Sequence, residues 1–593
     1  MSMDNSRNRA ARQFLIPFNM KTKHLLFTLT AIAAGMLAAA SCAPKYDVVV
    51  VGGTPGGIMT AISASRMGHS AIILERNGTI GGLPANGLGA TDIATRGATT
   101  GLFLEFVTRV KDHYIQTYGP DSQQVKDCSD GYHFEPGVAL GVFEDMLGEC
   151  GNVTVRRMTQ FDSSPENIRM DGGKIRSITV TDRLTGKKET VKGKMFIDAT
   201  YEGDLGAAAG VPFRIGRESQ KEFNEPIAGK VYKYWGGPVG EGTTYEGDTT
   251  IQAYNYRLCL TQKADNLVPF RKPANYNREE YVSLIDDILD GNHTGVATLN
   301  VTPQMRAANR KAILAGGRTT IPDDRWGIAK VTNMVKVPNG KTDANNQHMA
   351  FISTDLPEEN QAWPMASWEW RDAFAKRLRD YTEGLLWFAA NDEAVPESFR
   401  AEARTWGYAA DEYIDNDNFP RQVYVREGRR FEGMYFFTAN DALDTDRGPL
   451  HADAVTASHY ALDSHAHHKR EAGRIHLDGF LSWPSKVYNV PYGVIVPKEV
   501  TNLLFPVPVS GSHIGFSTLR MEPCWMALGQ AAGTAACLAI EGRTSVQDVD
   551  ITALQDNLLK QGATLVYMPG HSPSDSDFVS LQKEALSKLA GKK

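Results

Sequence analysis

Six residues, Gly52, Gly53, Thr54, Pro55, Gly56 and Gly57, stand between four consecutive valines (Val48 to Val51) and a stretch rich in small side chains. An acid, Glu75, closes the next apolar run. Glycines here let the backbone approach a pyrophosphate closely, and the start of the following helix turns free N–H groups and its positive dipole end toward phosphate oxygens. A carboxylate at the end of the second strand can accept hydrogen bonds from ribose hydroxyls. The chemistry these residues share is dinucleotide binding. Thr54 stands where the G-x-G-x-x-G pattern has its middle glycine, so the reading rests on the order strand, turn, helix, strand, acid within one βαβ length. Glu75 disfavours a 2′-phosphate, which argues against NADP.

A second group of residues could move protons or, in the case of an arginine, steady a charge. The stretch YALDSHAHHKR carries Asp463, His465, His467 and His468, and SGSHIGFSTLRME carries His513 and Arg520. The neighbouring histidines lack an i, i+4 partner set, so no metal site is expected. The six cysteines, Cys42, Cys128, Cys150, Cys259, Cys524 and Cys537, contain no C-x-x-C pair. That spacing argues against an iron-sulfur cluster, a structural zinc and a redox disulfide. Arg421, Arg426, Arg429 and Arg430 suit anion or carboxylate recognition, and internal salt bridges account for them equally well. Trp363, Trp368 and Trp370 offer flat faces to a sugar ring or other planar substrate, or serve as ordinary core. Tyr254, Asn255 and Arg257 alternate with apolar residues as on a strand that turns one face to a cavity.

Certain elements must hold these groups in place. The valines are an unbroken β-branched run suited to a strand buried on both faces. A helix is predicted from Pro55 to Met67, ended by Gly68, then a strand from Ala71 to Leu74. Gly81, Gly82, Gly87 and Gly89 make a loop able to lie along an extended ligand. Helices are expected over Leu102–Tyr118 and Pro136–Cys150, followed by a strand over Val153–Arg157. Lys174 to Thr200 reads as a meander of three strands, the last being MFIDAT, with Asp204 as N-cap of a small-residue helix. A long helix is predicted from Trp370 to Asn391. Near the end, TNLLFPVPV is a short strand, SGSHIGFSTLRME a turn, and Pro523 to Ile540 a helix with Gly542 beyond its end.

The 593 residues are 42% apolar and 22% charged, a globular composition long enough for two or three domains. A net charge of -6 with no basic stripe gives no sign of nucleic-acid binding. Lys21, Lys23 and His24 precede an apolar stretch that ends Ala39-Ala40-Ser41-Cys42, a leader pattern. It resembles a lipoprotein processing site, although leucine is commoner where Ala39 stands. Export is expected, to the periplasm or to a membrane through a lipid on Cys42.

Segments spread from 46 to 545 carry a family resemblance: VVVVGGTPGGIMTAISASRMG, IGGLPANGLGATD, FEPGVALGVFEDML, FIDATYEGDLGAAAGVPFRIGRES, IQAYNYRLCLT, RQVYVREGRRFEG, YALDSH, and the run from PYGVIVP to LAIEG. The chain resembles the two-dinucleotide-fold FAD flavoproteins related to glutathione reductase, and more closely a bacterial family of FAD-dependent oxidoreductases. A more distant resemblance reaches the flavoprotein component of heterodisulfide reductase, whose iron-sulfur clusters this cysteine set does not support. The resemblance implies FAD as cofactor, with Arg76, Gly81, Gly82, Leu83, Ala199, Thr200, Gly203, Asp204 and Glu522 joining the glycine turn and Glu75 around it. It places the Pro523 helix start against the isoalloxazine, Gly511, Ser512 and His513 along the ribityl chain or ring edge, and Arg520 near the pyrimidine side.

These observations give an α/β protein. A Rossmann-like FAD domain is expected from residues 46–211 and 421–545, with an inserted α+β substrate domain over 212–420. Residues 1–45 form the leader and 546–593 a helical extension. The function expected is hydride transfer between a small organic substrate, a carbohydrate or polyol first, and flavin N5, with His513 or His465 taking the proton. An electron acceptor of unspecified identity completes the cycle. The alternatives are a flavin subunit relaying electrons between partner proteins, or a flavin-binding protein without turnover.

Overall fold

Four valines in a row leave a strand no polar face, and β1 (Lys45–Val51) lies inside a sheet with Val48, Val49 and Val50 fully buried. The computed structural model describes residues 45–591 apart from 236, 323–324 and 444–449. The leader and Cys42 lie outside the described residues. Helix α1 (Pro55–Arg66) follows the glycine turn, and β2 (Ala71–Leu74) returns parallel to β1, Val48 opposite Ala71 and Val51 opposite Leu74. Helices α2 (Leu102–Tyr118) and α3 (Pro136–Gly148) lead to β3 (Val153–Arg156), parallel to β2.

Next come β4 (Lys174–Asp182) and β5 (Lys188–Asp198), joined by a hairpin. The sequence reading divides β5 in two, but the strand is continuous. Its first half, Lys188 to Lys192, pairs antiparallel with β4. Its second half joins β1, giving the order β3-β2-β1-β5-β4. One strand therefore belongs to the meander and to the nucleotide fold, and its change from mixed to wholly buried residues at Met195 marks the handover.

The inserted region builds a second sheet from β6 (Leu258–Thr261), β7 (Leu267–Val268), β8 (Thr332–Val337), β9 (Lys341–Asn346) and β10 (Gly407–Ala409). Its order is β7-β10-β6-β9-β8, antiparallel throughout. Helix α4 (Trp368–Asn391) begins two residues before the predicted start, because the Ser367 side chain caps the Trp370 N–H. It buries Phe374, Leu378, Tyr381 and Leu385.

The chain rejoins the first sheet at β11 (Leu503–Leu504), parallel to β5, and Pro506 and Pro508 keep it short. The segment expected as a turn contains a helix, α5 (His513–Leu519). Ser512 caps it by accepting from the Gly515 N–H at 2.9 Å. The last core helix, α6 (Glu522–Gly542), ends on Arg543 in the left-handed conformation, so Gly542 is inside the helix.

Small residues let α6 cross α1 closely. A Cβ at Gly529 or Gly533 would collide with the Gly56 or Thr60 carbonyl. Instead Thr60 Oγ1 donates to the Gly529 carbonyl at 2.9 Å, and Ser63 meets Thr534 at 2.9 Å. A continuous buried core then runs from Val48 through Leu258 and Tyr408 to Leu586. Everything from Tyr46 on is one compact unit.

Candidate functional site

The glycine turn and Glu75 meet as the sequence reading requires. Gly53 N–H donates to Glu75 Oε2 at 2.7 Å and Asn77 N–H to Oε1 at 2.6 Å. Burial raises the Glu75 pKa even so. Thr54, in the middle-glycine position, caps α1: its Oγ1 accepts from Gly57 N–H at 3.2 Å and donates to the Ala199 carbonyl at 2.8 Å. A Cβ at Gly52, whose φ is +102°, would strike that same Ala199 carbonyl. These contacts fix the turn against the end of β5.

A cleft of about 780 Å³, counted with its open mouth, opens above this junction between Glu75, Thr200, Trp363 and Trp368. Gly52, Thr54, Arg76 and Arg421 also line it. The Arg76 guanidinium lies 4.0 Å over the Trp368 ring and pairs with Asp372 at 2.6 Å. Trp363 Nε1 is buried without a hydrogen-bond partner. An acid at a strand end, a close backbone turn, two indole rings and two guanidinium groups fit an adenine dinucleotide. Of the three tryptophans read as substrate faces or ordinary core, Trp363 and Trp368 line this cleft and Trp370 stacks on Phe374 at 5.6 Å as core.

Toward α6 the cradle continues. Tyr201 Oη accepts from Leu83 N–H at 3.1 Å and donates to Glu522 Oε1 at 2.5 Å. Gly82, at φ +49°, leaves the space that the Tyr201 hydroxyl fills. Gly81, at φ +94°, turns the chain there and makes room for the Phe143 ring. Burial raises the Glu522 pKa to about 8, so this carboxyl is largely protonated at neutral pH. Its second oxygen and the Trp525 Nε1 are buried without partners, and no side chain caps α6 at Met521. Unsatisfied donors and acceptors at a helix start are the features a polar flavin nucleotide satisfies.

Other expected contacts have different partners. Asp204 does not cap its helix. Gly203, at φ +72°, holds that position, and Thr200 Oγ1 accepts from the Gly203 N–H at 2.9 Å. The Asp204 carboxylate instead pairs with Arg371 at 2.6 Å and Arg429 at 2.7 Å. Gly511 and Ser512 are likewise engaged: the Gly511 carbonyl accepts from Arg430 at 2.7 Å, and Ser512 Oγ donates to Glu225 at 2.5 Å. All four arginines of RQVYVREGRRFEG have internal carboxylate partners: Asp415 for Arg421, Asp355 for Arg426, Asp204 for Arg429, and Glu427 and Glu218 for Arg430.

The two histidines part company. His513 is 2% exposed and spent internally, with Nδ1 2.8 Å from Glu427 and Nε2 3.1 Å from Ser464. Both ring nitrogens of the expected proton acceptor therefore have partners inside the fold. His467 and His468 pair with Thr250 at 3.0 Å and Asp478 at 2.9 Å. His465 holds Asp355 through Nδ1 at 2.9 Å and turns Nε2 toward Asp463 at 3.7 Å. Burial pushes the Asp463 carboxyl up, but His465 and Arg520 outweigh it and hold its pKa at about 2. Arg520 reaches Asp463 at 3.3 Å and donates to Tyr424 Oη at 2.8 Å.

Asp92 completes this cluster, and the sequence reading does not single it out. Tyr460 Oη donates to it at 3.5 Å, and Arg257, locked to Asp343, lies 3.9 Å away. Burial raises the Asp92 pKa and Arg257 opposes the shift. Asp92 and Asp463 stay 19% and 16% exposed, while Asp463 Oδ1 and Arg520 Nε have no hydrogen-bond partner. Two chain paths join the cluster to the cofactor cradle. The Gly81 loop runs on to Asp92, and Arg520 stands two residues before α6. Arg257, Tyr424 and Tyr460 come from sites too far apart in sequence to form a pattern, and Asp92 has only its place in IGGLPANGLGATD as a signal.

A βαβ glycine turn with a ribose acid, completed by a C-terminal helix start, defines a Rossmann-like dinucleotide-binding flavoprotein. Residues 47–558 match the FAD dependent oxidoreductase family; the chain belongs to that family, an FAD-dependent oxidoreductase with FAD as its cofactor. No curated protein sequence matches it. Among solved structures it is similar to a glycerol-3-phosphate dehydrogenase from Bacillus halodurans complexed with FAD, at 12% identity over 32% of this chain and 42% of that one, TM-score 0.20. It is similar also to a flavin-dependent monooxygenase in complex with FAD and substrate, at 15% identity over 29% and 33%, TM-score 0.20. A third is the bacillithiol disulfide reductase of Bacillus cereus, at 18% identity over 26% and 40%, TM-score 0.19. The chain spans less than half the length of each of these three.

Proposed function

We propose that this protein oxidises a small organic substrate at a carbon bearing a hydroxyl or amine, bound at the cluster of Asp92, Tyr460, Asp463 and Arg520. The observation that carries this reading is the pair of half-buried carboxylates, Asp92 and Asp463, beside an arginine where the Gly81 loop and the start of α6 converge. When bound, FAD supplies the acceptor for the substrate hydride. Asp463 and Asp92 orient the hydroxyl or amine by accepting its hydrogen bond, and Tyr460 adds a donor. The proton leaves toward His465 Nε2, and Asp355 holds that ring in place through Nδ1 and stabilises its charged form. Arg520 steadies Asp463 as an anion throughout. A carbohydrate or polyol suits this hydrogen-bonding set and agrees with the export leader.

The same leader supports an exported, lipid-anchored protein, tested by labelled palmitate incorporation and its loss on Cys42→Ala. The function itself is tested by following the visible flavin absorption of FAD-loaded protein while sugars, polyols and amines are added without oxygen. Bleaching by one class names the substrate. Flavin that no candidate bleaches, but that a partner protein reduces, would replace this reading with electron relay.

A further inference from the structure

A second cavity, about 950 Å³ with its open mouth, lies behind the His465–Asp355 pair. Much of its lining is apolar and aromatic, with Phe351, Leu356, Tyr381, Leu477 and Phe480. The polar groups around it are already engaged. Asp355 gives one oxygen to His465 at 2.9 Å and the other to Arg426 at 2.8 Å. Tyr381 Oη donates to the Ser353 carbonyl at 3.0 Å. At the mouth Arg470 pairs with Asp287 at 2.9 Å, Lys469 with Glu359 at 2.8 Å and His468 with Asp478 at 2.9 Å. What the cavity offers a ligand is therefore ring and alkyl surface. A sugar, a phosphate or an inorganic anion would lose its hydration there and gain few hydrogen bonds in return.

We propose that this cavity binds a flat, apolar, ring-bearing molecule, at a site separate from both the Glu75 cleft and the Asp92 cluster. Its enclosed space, about 300 Å³, stands at the small end of the roughly 300–1,000 Å³ of small-molecule pockets. The Arg470 guanidinium lies 3.8 Å over the Phe351 ring and covers part of the mouth. The Phe480 ring stands 5.7 Å from the His465 ring and 4.9 Å from Trp235, so the site's inner end rests on residues that pack around His465. This goes beyond the oxidation proposed above and does not depend on it.

The test is a calorimetric titration of the FAD-loaded full chain with 2-naphthol, a neutral fused ring. Saturable binding of one molecule per chain is expected, weakened about tenfold or more by Ile352→Trp, which fills the cavity from its lining. Ser283→Trp, at an exposed position on the mouth, should fold normally and weaken binding in the same way. Unchanged flavin absorption shows that both variants keep the FAD fold. Absence of saturable heat, wild-type affinity in either variant, or displacement of 2-naphthol by glucose would overturn the proposal.

Discussion

Gly53 donates its N–H to Glu75 Oε2 across 2.7 Å, so the glycine turn and the acid at the end of β2 are one hydrogen-bonded unit. Glu75→Ala removes the carboxylate that accepts from Gly53 and Asn77 and faces the cleft. The buried Gly53 N–H it leaves costs about 1–3 kcal/mol if unsatisfied, while water can reach the part-buried Asn77 N–H. FAD affinity, measured by quenching of free FAD fluorescence, should fall at least about tenfold, equal to a loss of about 1.4 kcal/mol. Unchanged affinity would remove Glu75 from the cofactor site.

The two histidines make opposite predictions. His465→Ala should retain FAD and slow substrate reduction of the flavin by roughly 10²–10⁴-fold, the usual contribution of a positioned acid or base. His513→Ala strips a partner from Glu427, whose anion is held at about 2 by His513 and Arg430 against the opposing effect of burial. Its main effect should be a loss of several degrees in Tm, with turnover per folded molecule little changed. Stopped-flow reduction and thermal melts, made on both variants, separate the roles. The reverse pattern would return the proton to His513.

Asp204 lies between Arg371 and Arg429, and all three are buried. Removing one member of such a group leaves charge without compensation, at a cost of about 3–5 kcal/mol. Asp204→Ala, which strands two arginines, should therefore destabilise more than Glu75→Ala in urea unfolding. A midpoint close to wild type would mean that water reaches and solvates the arginines.

How much of this was legible depends on distance along the chain. The βαβ unit lies within thirty residues, and each signal in it is local: a valine run, a glycine turn, an acid at a strand end. Those elements are where the sequence places them. Helix α5 was hidden because Gly511 and Gly515 flank the Ser512 cap and read as a turn. The tryptophans show the opposite difficulty. Their type suggested a planar ligand, but only folding brings Trp363 and Trp368 to Glu75. Asp92, Arg257, Tyr424, Tyr460 and Arg520 share no spacing, because three separate parts of the chain supply them, so the cluster could not be read from sequence.

Glu522 gives the last prediction and a direction with pH. Burial raises its pKa from the ordinary 4.5 to about 8 in the folded chain. A raised acid binds its proton more tightly folded than unfolded. Its contribution to stability is therefore complete below about pH 4.5 and is lost as pH climbs through about 8. Glu522→Gln keeps the shape and an acceptor for Tyr201 but cannot ionise. The wild-type Tm should fall between pH 6 and 9, and the variant should lack that part of the fall, gaining on the order of a few degrees at pH 9. Melts of both proteins with FAD loaded and removed complete the test, because a cofactor that satisfies the free Glu522 oxygen changes the window in the loaded protein alone. If both proteins follow the same pH curve in either state, Glu522 is not the buried neutral acid described here.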